Sequence, residues 1–283
     1  MSITTDLITG IPQWLLSFDD HARKERIWSL GLLSGWRRFK ESNYGAANFE
    51  RALVLDRLVE TLKPVNILEI GTGRGLGALT VATASREYGL DVKITTIDAL
   101  APDVKQKWPI QIDGENKVIN SSLNEVWSQY VDKTLTNNIT KITALSTKAL
   151  PELSALNKKY DLIFIDGGHD LHSVINDLSY SISMLNSNGV ILMDDFAPLD
   201  EYGFGTCMAT YVAGNWIENI KVFPSEGLVY GAAEHSEYPR GMVLLWGQKR
   251  KKPYKIYHAK LFFWKMLERL MWLAMKRGIF PLR

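Results

Sequence analysis

The sequence predicts an α/β protein built on a doubly wound, mostly parallel sheet, and three observations predict it. Short apolar runs alternate with helical periodicity from residue 64 onward, the pattern of strands joined by crossover helices. Runs such as "YDLIFID" and "GVILMDD" are apolar throughout, as strands covered on both faces should be. Glycines or acids follow directly on them, where open α/β sheets bind ligands, outside the carboxyl ends of the strands.

Taken in order, residues 1–63 read as a mostly helical N-terminal cap in two segments, "QWLLSFDDHARKERIWSLGLL" and "AANFERALVLDRLVETLK". In the second, Phe49, Leu53, Leu55, Leu58 and Leu62 recur at spacings that share a helix face, and Pro64 ends it. The body, 64–248, opens with the strand "NILEI" (66–70), a glycine-rich turn and the helical "GALTVATASREY". "KITTID" (93–98) is the second strand. The excursion from 98 to 138 is long for a connection, and such length marks a functional segment or a small helical insertion. "KITAL" (141–145) and "YDLIFID" (160–166) are the next strands. The helix "LHSVINDLSYSISML" then carries Val174, Leu178, Ile182 and Leu185 on one face. "GVILMDD" (189–195), a helix within "GTCMATYVAGNWIE", and the strands "IKVF" and "GMVLLWG" (241–247) complete the body. Residues 249–283 form a basic tail.

The chain has 283 residues, 46% of them hydrophobic, enough for one large core with appendages. A single cysteine, Cys207, excludes an internal disulfide framework and any multi-cysteine zinc site. The N-terminus lacks a basic region followed by a long apolar one, so no signal peptide is expected and the expected compartment is the cytoplasm. No run of 18 apolar residues occurs, so no spanning helix is expected. The net charge of +2 conceals an asymmetry. Lys249 to Arg283 holds eleven Lys/Arg against one acid, Glu268, a balance of +10, and the other 248 residues sum to −8.

The first strand runs into "LEIGTGRGLGALT", with Gly71, Gly73, Gly75 and Gly77 alternating. Glycines here allow a sharp turn and close approach of a ligand to helix N-terminal amides. The spacing "GRGLGA" is compatible with a dinucleotide fingerprint, and a tight turn without a ligand is the plainer reading. No Gly-Lys-Ser/Thr follows, which excludes a P-loop. No tyrosine has a lysine four positions on, which removes the commonest short-chain reductase pattern, in which that lysine lowers the tyrosine pKa. Asp98 ends the second strand, where a carboxylate can accept from two vicinal ribose hydroxyls or simply cap the strand end.

Two later runs also end in acids: Asp166, and, 28 positions on, Asp194 and Asp195. That separation is one strand–helix–strand unit, which brings the two strand ends together. Carboxylates so placed repel unless something relieves them, and a hard divalent cation such as Mg²⁺ suits oxygen donors. Capping of the following helices is the alternative for Asp166 and Asp195. His169 stands three residues after Asp166. It can serve as a base near neutral pH, as a partner orienting Asp166, or as a ligand.

The stretch "NILEIGTGRGLGALTVA" resembles the first motif of the class I S-adenosylmethionine-dependent methyltransferases, an acid two positions before Gly-x-Gly-x-Gly. The resemblance extends over about residues 45–248 and implies a seven-stranded Rossmann-like methyltransferase fold. It implies that Glu69, Gly71, Thr72, Gly73 and Gly75 border the cofactor, that Asp98 meets the ribose, and that Ser146 in "ITALSTKALPEL" meets the adenine. Leu145 stands where that segment often has an acid. "YDLIFIDGGHDLHSVINDLSYSISMLNSNGVILMDDF" resembles the metal-dependent O-methyltransferase branch, which includes small-molecule and sugar enzymes. There Asp166, Asp194 and Asp195 would hold the cation, with Asp166 and His169 as the catalytic residues. Where the catechol type has lysine this chain has His169, and where some sugar enzymes have a basic aspartate it has Gly168. The expected activity is O-methylation of a small hydroxylated acceptor, a sugar or natural-product intermediate, with S-adenosylmethionine and Mg²⁺. The alternatives are metal-independent N-methylation, a nicotinamide-dependent oxidoreductase, and a cofactor-binding protein without catalysis.

The tail segment "LFFWKMLERLMWLAM" is amphipathic as a helix. Lys265, Arg269 and Lys276 share one face, and Phe263, Leu267, Leu270, Met271 and Ala274 lie opposite. It is expected to dock on the body or on a second subunit, or to lie on anionic lipid as a peripheral membrane contact. Nucleic acid is not an expected partner, because the charge gathers in the tail rather than around the predicted site.

Overall fold

The computed structural model describes residues 21–34, 37–39, 43–45, 49–197, 203–224, 241–250 and 261–276. Seven strands form one sheet in the order Ile217–Pro224, Gly241–Lys249, Leu185–Phe196, Tyr160–Ile165, Asn66–Ile70, Lys93–Asp98 and Ile139–Thr143, and two further two-stranded sheets pair Arg37–Phe39 with Asn43–Gly45 and Gln106–Ile112 with Glu115–Ser121. The predicted α/β class, with its mostly parallel seven-stranded sheet, is the observed one. Contacts divide the chain into two compact units, Met1–Leu145 and Ser146–Arg283.

The first unit begins with α1 (His21–Ser34), the hairpin strands β1 (Arg37–Phe39) and β2 (Asn43–Gly45), and α2 (Phe49–Leu62). Residues 13–20 of the first predicted helix lie outside the described residues. The described residues of 1–63 are mostly helical, with one antiparallel pair of three-residue strands, too short to show a period, between the two helices. Helix α2 buries Ala52, Leu53, Val54 and Leu55 in succession, so it is covered on more than the one predicted face. Strands β3 (Asn66–Ile70), β4 (Lys93–Asp98) and β7 (Ile139–Thr143) pair in parallel. Strand β7 starts two residues before the predicted "KITAL", in register with β4 at Ile94–Ile139. Between β3 and β4, helix α3 (Leu76–Glu87) is buried without a break from Gly77 to Ser85.

The excursion after β4 is only partly helical. It folds as the antiparallel strands β5 (Gln106–Ile112) and β6 (Glu115–Ser121), then α4 (Leu123–Tyr130) and α5 (Lys133–Thr136). Asp113 and Gly114 turn the hairpin with φ of 52° and 78°, the two positive values a tight two-residue turn requires. A capping box of Ser122 and Glu125 starts α4. Trp108 of β5 is fully buried, and its indole N–H donates to the Leu33 carbonyl of α1 at 2.7 Å.

The second unit holds α6 (Ser146–Ala155), β8 (Tyr160–Ile165), α7 (Leu171–Met184), β9 (Leu185–Phe196), α8 (Phe204–Ala213), β10 (Ile217–Pro224), β11 (Gly241–Lys249) and α9 (Leu261–Lys276). Strand β8 runs parallel to β9, and β11 runs antiparallel to both β9 and β10. Val174, Leu178, Ile182 and Leu185 are all buried, as their spacing predicts. Helix α9 docks through Trp272, whose ring meets Phe204 edge-on at 5.4 Å and 66°. Among the described residues, no helix is long and apolar enough to cross a membrane.

Candidate active site

In the first unit the candidate cofactor residues gather at the carboxyl ends of β3 and β4. Gly71, Gly73 and Gly75 take φ of 97°, 51° and 85°, a conformation that side chains with a Cβ rarely adopt. Gly75 is also the N-cap of α3, and a Cβ there would stand 2.3 Å from Cζ2 of Trp127. The indole of α4 therefore lies directly on the glycine turn, which no larger residue at Gly75 permits.

Glu69 is buried inside β3, and its carboxylate accepts the Thr96 hydroxyl at 2.5 Å. Thr96 therefore has its oxygen to offer Thr72, whose hydroxyl lies 2.6 Å away. This relay ties the loop residue Thr72 to two strands. Asp98 ties the other side: its two carboxylate oxygens accept the amides of Gly73 and Leu100, each at 2.8 Å. A carboxylate has about four lone-pair sites, so two remain for vicinal hydroxyls. Thr72, Gly73, Asp98, Leu100, Pro102 and Lys141 are among the residues that line a narrow open cleft. The Lys141 ammonium stands 4.8 Å from the Trp127 ring centre, and burial lowers its pKa. Burial also lowers the pKa of Arg74, whose guanidinium lies over Trp108 at 5.9 Å.

In the second unit, Asp166 follows β8 directly, and Asp194 and Asp195 close β9. Each offers a carboxylate oxygen, and the three oxygens lie within 4.8 Å of one another. Asp195 is buried and takes φ of 58°, a left-handed conformation that aspartate tolerates better than most residues. His169 Nδ1 stands 3.3 Å from Asp195 Oδ2. The helix-capping alternative for Asp166 is not what the structure shows: Asp170 caps α7, accepting from the Ser173 amide at 3.1 Å and its hydroxyl at 2.6 Å. Helix α8 has Gly203 as its N-cap rather than Asp195. Asp166, Gly167, Gly168, His169, Asp194 and Thr206 are among the residues that line a small open pocket.

The segment that carries His169 is held from two sides. A Cβ at Gly205 would stand 2.1 Å from the His169 carbonyl oxygen, so only glycine lets α8 approach that closely. From α9, the Glu268 carboxylate accepts the Leu171 amide at 3.1 Å. Ser146, the predicted adenine contact, hydrogen-bonds Asp177 on α7. Asp177 is fully buried, and burial pushes its pKa up to about 7.

Sequence reasoning thus names the acids and His169 but misses Trp127, Gly205 and Glu268. Gly205 stands in the glycine-spaced "GFGT" at a predicted helix start, and that close-approach signal was available. Nothing in the local sequence marks Trp127 or Glu268, since each reaches its target across the fold.

Residues 68–196 match a family model described as a methyltransferase domain. No curated protein matches the chain by sequence. Among solved structures, the fold is similar to an O-methyltransferase from Bacillus cereus in complex with S-adenosylhomocysteine. The identity is 15%, the TM-score 0.53, and the match covers 83% of this chain and 96% of that one. It is also similar to TomG of Streptomyces achromogenes, an O-methyltransferase involved in tomaymycin synthesis, in complex with S-adenosylmethionine: 14% identity, TM-score 0.53, 84% and 96% covered. A methyltransferase of Podospora anserina with bound S-adenosylhomocysteine gives 16%, 0.50, 80% and 88%. At such identities the likeness establishes the fold.

Proposed function

We propose that this chain methylates a hydroxyl of a small molecule, a sugar or natural-product intermediate, with S-adenosylmethionine as donor and Mg²⁺ as a helper; the match of residues 68–196 to a methyltransferase-domain family model and the seven-stranded sheet support this reading. The observation that carries the oxygen-directed reading is the convergence of Asp166, Asp194 and Asp195 beside a histidine that leans on one of them. Three carboxylate oxygens within 4.8 Å of one another, with Asp195 buried, are a donor set that suits a hard divalent cation.

The residues divide the work. Gly71, Gly73 and Gly75 keep the loop free of side chains, so that a donor could pack closely against its backbone; their own amides are given to Ile97, Asp98 and Thr72. Glu69 supports that loop through Thr96 and Thr72, and Asp98 has lone pairs for the ribose. S-adenosylmethionine would supply an electrophilic methyl on a sulfonium. A bound cation would lower the pKa of an acceptor hydroxyl and fix its direction. Asp166, Asp194 and Asp195 would hold that cation. His169 faces Asp195 through Nδ1 at 3.3 Å, a contact that would orient the ring and favour Nε2 as the atom that takes the acceptor's proton. In transfer of that methyl from sulfur to the acceptor oxygen, His169 would take the proton that the hydroxyl loses.

Methyl-labelled S-adenosylmethionine, a panel of hydroxylated and amine acceptors, and mass spectrometry of the products test this reading. Label on oxygen, sensitive to EDTA and restored by Mg²⁺, is expected. Label on nitrogen that EDTA leaves unchanged would replace the reading with metal-independent N-methylation.

A further inference from the structure

We propose that the outward face of α9 docks on an anionic lipid bilayer. The docked face of this helix is defined by Glu268, whose carboxylate accepts the Leu171 amide, and by Trp272, buried against Phe204. Met266, Leu270 and Leu273 follow one another at spacings of four and three, so they share a face, and they are 44%, 55% and 42% exposed. Arg269 is exposed on the flank of that stripe. Single exposed leucines need no explanation, but a three-residue stripe on one helix does.

The charge of the surrounding segment selects the occupant. Lys249 to Arg283 carries +10, and its only acid, Glu268, is turned toward α7. A second copy of this chain would bring two such segments together, and they would repel. A nucleic acid would take the charge but leave the apolar stripe in water. An anionic bilayer takes both: apolar side chains enter the headgroup–acyl boundary, and the Lys/Arg groups meet lipid phosphates. The rest of the chain, at −8, is repelled by the same surface, which favours attachment through α9. This inference does not depend on the proposed chemistry.

The full chain is tested by co-sedimentation with vesicles of phosphatidylcholine alone and of phosphatidylcholine with about 30% phosphatidylglycerol. Pelleting with the anionic vesicles should exceed that with neutral ones by about tenfold or more and fall steeply by about 0.5 M NaCl. Leu270→Glu/Leu273→Glu, at positions already in water, should lose about tenfold in binding. Arg269→Glu, which leaves the stripe intact, should weaken binding at low salt and match the parent at high salt. Circular dichroism reports whether each variant folds, and Arg269→Glu keeps the test open if the double variant does not. No preference for anionic vesicles would overturn the proposal, as would a folded double variant that pellets like the parent. A dimer in light scattering that Leu270→Glu/Leu273→Glu dissociates would instead assign the stripe to self-association.

Discussion

His169 leans on Asp195 through Nδ1 at 3.3 Å, so removing the imidazole removes the proposed base and leaves the glycine loop untouched. His169→Ala is expected to lower kcat by about 100-fold or more, the ordinary range for a lost general base. Titration calorimetry should give S-adenosylhomocysteine affinity within about twofold of the parent; a matching loss of cofactor affinity would count against the base role. Asp177 gives a stability prediction. Its carboxyl is fully buried, one oxygen has no hydrogen-bond partner, and burial raises its folded pKa to about 7 from about 4 in an unfolded chain. The native state therefore holds the proton more tightly. The resulting stabilisation is complete below about pH 4 and is lost as pH rises to about 7, on the order of 4 kcal/mol. Urea unfolding should show the parent weakening across that window and Asp177→Asn nearly flat. The site acids were legible at this scale, because a carboxylate that ends an apolar run stands out. The brace on His169 was not, since Glu268 lies 97 positions from Leu171 and only the folded chain brings them together.

At the scale of elements, the turn from β3 into α3 depends on what lies over it. Gly75→Ala would force a Cβ into the Trp127 ring and hold alanine at a φ of 85°. An affinity loss of about tenfold or more for S-adenosylhomocysteine is expected by calorimetry, and unchanged affinity would remove the turn from the cofactor site. Helix α1 is anchored by a buried ion network: Asp56 meets Arg23 at 3.1 Å and Arg26 at 3.2 Å, and accepts the Tyr88 hydroxyl at 3.0 Å. Burial and Asp56 together raise the Tyr88 pKa. Asp56→Ala removes the buried carboxylate that Arg23, Arg26 and Tyr88 share and leaves the arginines their outer partners, Glu60 at 3.2 Å and Glu87 at 3.7 Å; urea unfolding should show a loss of about 3 kcal/mol. The strands with a covered, continuous apolar run were readable from sequence. The β5–β6 hairpin was not, although Asp113-Gly114 is a strong turn signal. Pro109 interrupts the first strand and argues against a regular one, and β6 exposes four consecutive residues, Glu115 to Val118, with no apolar alternation. In α9 the period gave the helix, but Leu270 faces water while Glu268 faces α7. Amphipathicity alone does not say which stripe docks.

For the whole molecule, the order of strands follows from simple constraints. Parallel strands need crossover helices, and strands that read as buried end where ligands bind, so the sequence already puts Gly71 and Asp98 of the first unit, and Asp166 and Asp194 of the second, at the carboxyl ends of their own strands. The acceptor is not legible in the same way, because loops and long-range braces shape its pocket. The central claim is that Asp166, Asp194 and Asp195 hold a divalent cation for methyl transfer. Mn²⁺, a spin-active stand-in for Mg²⁺, tests it most directly when titrated into the parent and Asp166→Asn/Asp194→Asn and followed by electron paramagnetic resonance. The account predicts one Mn²⁺ held per parent chain, displaced by excess Mg²⁺, and none held at the same concentrations by the double variant. A parent that holds no Mn²⁺, or a folded double variant that holds it equally well, would contradict it.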